Sequence, residues 1–515
     1  MAGDSQTHII RNMQLRLQIP GMDKAFALQQ RAKKCMEENW NGKLDAILDK
    51  YAGNGEYLYI PFLKIELEKL PEEDFEEHFK LALLAALDEA LKELVQQDIA
   101  VKAGAVPPQE SAGSISLKMS KDERTLGAWF YFLEKGILPW WMQHDEQSVL
   151  EEQLLAIIRH SPVMFREYWY RAWNHRTINV PRWQLQCSPA LRQLMLEVLC
   201  PASILEQFRT WLQMLEKMAA PEWAAFQLPL KSLRYTSWHC FFLFIDTGAQ
   251  YKGAALERFI ALQLEHFSKE WERYANTVLP EEVRQQMEEV GKQFLRQSAG
   301  AGTSSVEVAP KAPSPEAAGD VLQVKGVSAV ERPKEAMLPI HFPELPAEGI
   351  CVNGAGLVLL HPFLTHLFRH LSWLGEKDHQ LKDPFINRAI HLLQFLCTGN
   401  EQSPEYDMVM AKVLCGVPLE TAIERDIVLD ASEKQQAESL LQAVLEHWPP
   451  LNSSSVDALR ETFLQREGLL QFKNEEWVLQ VEQKTVDVLL NKLPWGTSII
   501  RLPWMKHLLK VNWAI

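Results

Sequence analysis

Two periods of apolar residues divide this chain. Leu63, Ile65 and Leu67 alternate with Lys64, Glu66 and Glu68, the period-2 signature of a strand, which Pro71 ends. From Phe75 the period lengthens: Phe79, Leu83, Leu87 and Leu94 fit one face of a long amphipathic helix. The acidic run over 72–77 suits the solvated first turn of that helix, where negative charge opposes the dipole. Upstream lie an apolar start (Ile9, Met13, Leu15, Leu17), a break at Pro20-Gly21 and a helical pattern over 25–48. Together these predict a small α+β unit over 1–98. The stretch 99–121, with Pro107-Pro108 and several Gly and Ser, reads as a linker.

A helical, aromatic pattern then runs through 122–297. Ser148 and Glu151 have the spacing of a capping box ahead of the stripe Leu150, Leu154, Ile157 and Ile158, and Leu256, Ile260, Phe267 and Trp271 form a second stripe. The segment 298–344 is rich in Ala, Gly, Ser and Pro and poor in large apolar residues. It cannot offset the entropy of ordering, which predicts a flexible linker. In the last region, 345–515, Asp383-Pro384 opens a helix carrying Ile386, Ile390, Leu393 and Cys397, and Gly399 closes it. Asp430 and Glu433 form another capping box, followed by Ala437, Leu440, Leu441 and Val444. Trp477, Leu479 and Val481 alternate as a strand. The expected fold class is mainly α with α+β elements: a multidomain chain whose helical C-terminal domain carries a few strands. No solenoid repeat is visible.

At 515 residues, with 47% hydrophobic positions and 17 Trp, the chain has apolar surface for several packed units. A formal charge of −14 without any basic block argues against nucleic-acid binding. Seven scattered Cys, none in a C-x-x-C pair, read as buried thiols in a reducing compartment. The start of the chain lacks the apolar core of a secretory signal, and the longest apolar bursts fall short of the ~18–20 residues a membrane span needs. A cytoplasmic protein is expected.

Candidate chemistry is sparse. Gly354-Ala355-Gly356 lacks the third Gly and the acidic residue of a dinucleotide site, so a turn into a buried segment is the better reading. His361, His366 and His370 stand close together, the last two at helical spacing, but Leu367 follows His366 where a zinc hydrolase would carry its general base. Cys397 and Cys415 sit among apolar neighbours and read as inert thiols. No catalytic residue, metal or cofactor is expected. The anomaly is Pro beside Trp: Pro139-Trp140-Trp141, Trp448-Pro449-Pro450, Pro494-Trp495 and Pro503-Trp504. Each Trp either plugs a core beneath a turn or anchors a partner.

The C-terminal third carries ordered motifs: GAGLVLLHPFL (354–364), HLLQFLCTG (391–399), PEY (404–406), LCGVPL (414–419), LRETFLQREG (459–468), WVLQVEQK (477–484), DVLLNKLPW (487–495) and IIRLPWM (499–505). By these it resembles the contractile injection system tape-measure proteins. HIIRNMQLRL (8–17), YIPFLKIELEKLP (59–71) and LEKGILPWWM (133–142) extend the likeness. The resemblance implies a structural protein of a phage-tail-like particle, not an enzyme. Such a protein sets tube and sheath length through contacts with inner-tube, spike or baseplate and terminator-cap proteins. The motif positions carried over are Pro362, Gly399, Pro404, Glu405, Gly416, Pro418, Arg460, Glu461 and Arg466. Trp140, Trp141, Pro494, Trp495, Pro503 and Trp504 are the candidate interface.

An unbroken helix of this length would span on the order of 770 Å. With 28 Pro and a core-like middle, only part of the chain can extend, or it unfolds to do so. A transient assembly chaperone or scaffold of the same particle is the first alternative. A metal-dependent hydrolase on the three histidines is the second.

Overall fold

The computed structural model describes residues 8, 10, 15, 25–37, 41–51, 56–60, 63–67, 70–71, 74–102, 117–139, 141–142, 149–222, 230–246, 254–275, 278–300, 349–377 and 379–513. The chain is mainly helical, and its backbone separates into two compact units, 1–127 and 128–515. The linker expected at 298–344 falls, apart from its first three residues, outside the described residues. So do Pro20-Gly21, most of the apolar start and Ser148.

In the first unit the apolar face of the Phe75–Lys102 helix is buried as its period requires. Phe79 packs with Ala32, Cys35 and Phe75, and Leu87 and Leu91 pack with Ile47. The helical pattern over 25–48 resolves into Ala25–Glu37 and Asn41–Tyr51. Arg31 grips the Glu76 carboxylate with two 2.6 Å bonds, which holds that acid down at about 2. The alternating segment 63–67 differs from expectation. Leu63, Ile65 and Leu67 do turn inward onto the helices, while Lys64 and Glu66 are exposed, yet the segment joins no ladder among the described residues. The ladder lies upstream, where β1 (Glu56–Tyr59) pairs antiparallel with β2 (Leu117–Ser120), inside the stretch expected as linker. An amphipathic extended segment that packs on helices leaves the same period-2 trace as a sheet strand.

In the second unit the residues up to 300 form a helical array around an aromatic core. Trp169, Trp183 and Trp211 are fully buried, with Trp169 against Phe242, Trp183 against Trp238 and Phe208 stacked on Phe241. Leu154, Ile157 and Ile158 are buried, as are Leu256, Ile260, Phe267 and Trp271. The helix Leu150–His160 begins after Val149, which supplies no side-chain cap.

From residue 349 the chain builds a second core on a five-stranded sheet of order β3-β4-β5-β7-β6, with β3 Ile350–Val352, β4 Gly468–Lys473, β5 Glu476–Val481, β6 Ile499–Ile500 and β7 Leu509–Asn512. The β4–β5 hairpin turns on Asn474 and Glu475, both with positive φ, the pairing a two-residue turn needs to match strand twist. β7 lies parallel to β5 and antiparallel to β6. The helix Ile386–Thr398 is buried on every side from Ala389 to Cys397, so the single stripe expected for it is too narrow. It starts at Ile386, after a 3-10 turn over Asp383–Phe385, and Gly399 ends it in the left-handed conformation with φ +75°. The helix Ala431–His447 carries the Asp430–Glu433 capping box in full.

Candidate functional site

The motifs interlock in pairs, and each lock includes a side chain donating to a backbone carbonyl of another segment. In the first pair, Trp495 donates from its indole N–H to Leu359 O at 3.0 Å and stands edge-on to Phe363, joining DVLLNKLPW to GAGLVLLHPFL. Pro362 enters the first turn of the His361–His370 helix, where no backbone donor is missed. Gly356 is required here, because a Cβ would fall 1.7 Å from Phe463 O. The Ala355–Leu360 turn that follows is buried throughout, as the turn reading of Gly354–Gly356 expects.

In the second pair, Trp504 donates to Leu414 O at 2.8 Å, the last carbonyl of the Val409–Leu414 helix, and packs on Phe368. Gly416, at φ +70°, would carry its Cβ 2.6 Å from Trp504 O. Pro418 O closes the following turn by accepting from Thr421 N–H. The third pair joins LRETFLQREG to HLLQFLCTG: Arg460 donates to Leu396 O and to the Glu438 carboxylate, and Gln465 to Cys397 O. Glu461 is exposed on the same π turn. Arg466 is fully buried and donates to Thr462 O, Glu482 O and Asp487 Oδ1, the last at 2.7 Å; Trp513 donates to the other Asp487 oxygen.

Pro404-Glu405 reaches the furthest partner. Glu405 is 0% exposed and lies between two buried cations, Arg182 at 3.2 Å and Lys412 at 2.5 Å. All five Arg182 donors are used. Nε faces Glu405, Nη1 faces Leu133 O and Glu134 O, and Nη2 faces Leu419 O and Glu420 O. Lys412 spends its three donors on Glu405, Leu419 O and Thr421 O. Burial pushes the Lys412 ammonium below its ordinary range, and the Glu405 charge opposes that shift. Gly136, at φ +78°, passes so close that a Cβ would lie 2.7 Å from Arg182 Nη2. Arg182 and Gly136 escape sequence reading, since nothing local announces partners so far along the chain, and Lys412 does too, since its partners are loop carbonyls and a carboxylate that only the fold brings together.

The candidate interface residues divide. Trp141 and Trp504 are buried at 7% exposure, and Trp448 is fully buried, so at these positions the Trp fills a core beneath a turn. Trp495 is half-buried, Pro494 and Pro503 are exposed, and Trp140 lies outside the described residues. His361 is half-buried with Nδ1 2.9 Å from Val358 O, and burial lowers its pKa; His366 and His370 are exposed. Among the described residues no group of three His, Cys, Asp or Glu comes together in a metal-binding arrangement. Burial pushes the Cys397 thiol up to about 12 and the Cys415 thiol up as well, so neither offers a thiolate. A cleft of about 750 Å³ opens between Pro139, Met142, Asn353, Tyr406, Glu467 and Gln480.

The family model for contractile injection system tape measure protein matches residues 7–513. The chain belongs to that family. The interlocked Pro-Trp segments are therefore the fold of a tape measure protein of a contractile injection system. Comparison with curated proteins and with solved structures returns no match. Among the described residues of this tape measure protein, no helix is long and apolar enough to cross a membrane.

Proposed function

We propose that this tape measure protein is made in the cytoplasm and built into the particle, where it sets tube and sheath length. One end engages spike or baseplate components and the other the terminator cap. The observation that carries this reading is the family match over nearly the whole chain. The packing limits how the protein can measure. Residues 150–300 and 349–513 are rich in buried aromatic and aliphatic side chains, so a folded body at each side of 301–348 is the natural state, and the Ala/Gly/Ser/Pro-rich segment between them is the part free to vary.

The test is to lengthen or shorten the chain in frame within 305–340, which spares both folded regions, and to measure particles by electron microscopy. Adding 30 residues should lengthen them by about 45–100 Å, at ~1.5–3.3 Å per residue. Unchanged lengths at normal yield reject the ruler. Copy number in purified particles separates a resident ruler, present at a fixed low number, from a chaperone that leaves.

A further inference from the structure

The second unit has two cores. Among the described residues, the one built around the C-terminal sheet takes only Tyr131 and Ile137 from before residue 350, and the aromatic core of the helical array is formed by other residues. Residues 128–137 serve both. Phe130 stacks on Phe165 and Tyr168 of the array, whereas Tyr131 enters the sheet core and Phe132 stands edge-on to Tyr406.

Away from that shared segment the junction carries a run of polar contacts. Asn179 donates to Glu420 O, and Gln186 donates to Ile423 O and accepts from Glu405 N–H. Arg425 reaches Gln186 O and the Glu151 carboxylate, and Arg182 inserts between Glu405 and the 419–420 carbonyls.

We infer that this junction is a hinged seam, able to open about residues 128–137 while both cores stay folded. When the Val180–Gln186 helix lifts away, Glu405 keeps Lys412 as its counter-ion, and the partly exposed Arg425–Glu151 pair separates into water. Arg182 enters water and the carbonyls at 419, 420 and 423 are hydrated. Hydrogen bonds exchanged for water cost far less than opening an apolar core, and polar junctions of this kind are the ones that move. Lys412 favours the open state too. Burial is the main influence disfavouring its charge, and the nearby Arg182 cation adds to it. The inference does not depend on the particle role, since it concerns the isolated chain.

Native-state hydrogen exchange on the full-length protein, across a urea series, tests it. Amides of 180–186 and 419–425 should exchange through an opening with weaker urea dependence than those of Ile386–Thr398 or Pro162–Asn174. Arg182→Met should raise exchange on both flanks of the seam together, by roughly tenfold or more, the size expected for losing a hydrogen bond to a charged group. Both cores should keep their protection, and Arg182→Lys, with fewer donors, should fall between. Seam amides that exchange only with the two cores in the wild-type chain would overturn the inference. So would an Arg182→Met protein in which a core loses protection alongside the seam. If Arg182→Met does not fold, the wild-type urea series decides alone.

Discussion

Trp504 separates two accounts of the Pro-Trp motif. As a core side chain it has two functions. Its indole fills the space beside Phe368, and its N–H satisfies Leu414 O, a helix-terminal carbonyl with no partner further along the helix. Removing a buried Trp side chain costs about 3–5 kcal/mol, and leaving the buried acceptor unpaired adds about 1–3 kcal/mol. Trp504→Ala should therefore lose on the order of 4–8 kcal/mol. Trp504→Phe keeps a ring against Phe368 and should lose mainly the acceptor part, about 1–3 kcal/mol. The assay is urea unfolding of the full chain followed by near-ultraviolet circular dichroism. With a slope of ~3 kcal/mol per molar urea, Trp504→Ala should lower the C-terminal midpoint by about 1.3–2.7 M. A midpoint within error of wild type, combined with failed particle assembly, would refute the core account and make Trp504 a partner contact.

Two further predictions rest on single observations. Gly399 and Gly416 are both left-handed, which costs an L-residue about 1–2 kcal/mol. A Cβ at Gly399 meets the Arg460 guanidinium at an ordinary 3.5 Å, but at Gly416 it meets the Trp504 carbonyl at 2.6 Å. Gly416→Ala should thus lower the urea midpoint clearly more than Gly399→Ala, and equal losses would show that the 504 backbone yields freely. The other concerns pH. Burial lowers the His391 pKa from 6.5 in the fold, with the Glu424 carbonyl, 2.7 Å from Nε2, opposing. As pH falls below about 6.5 the unfolded chain takes up a proton that the folded chain resists, so stability declines until the folded pKa is passed. His391→Gln should flatten the fall in midpoint between pH 7.5 and 5, while His361, lowered in the same direction, keeps part of the slope. Identical pH profiles for the two proteins would dismiss His391 as a contributor.

What the sequence discloses and what it hides follow from the range of the interactions. Asp430 with Glu433, Gly399, and the Trp477–Val481 alternation were legible because a cap, a left-handed stop and a strand are settled within a few residues. The stripe on Leu256, Ile260, Phe267 and Trp271 was legible for the same reason. Nothing local singles out Arg182 and Lys412, because long cations are seldom buried and their counter-ion, Glu405, is close to only one of them in sequence. The Pro-Trp pairs showed that something was being held in place. Whether an indole faced its own core or a partner depended on carbonyls at 359 and 414, which no local pattern identifies. The strand at 117–120 was hidden by its Gly, Ser and Pro neighbours, since its ladder partner lies about sixty residues earlier.

The strand order of the C-terminal sheet also governs synthesis. β7 lies between β5 and β6, and residues 350–352 pair with 468–470, so the sheet is completed by a strand made about 160 residues after its first. At ~5–20 residues per second the ribosome needs on the order of ten seconds or more to cover that distance, and during it the apolar face of β3 has no finished partner. A chain released early, before Leu509–Asn512, would keep an open edge beside β5, prone to pairing with another copy and exposed to proteases. Placing an interior strand so late makes synthesis through Asn512 a condition for closing the sheet, so a product cut short before it is marked by its failure to close.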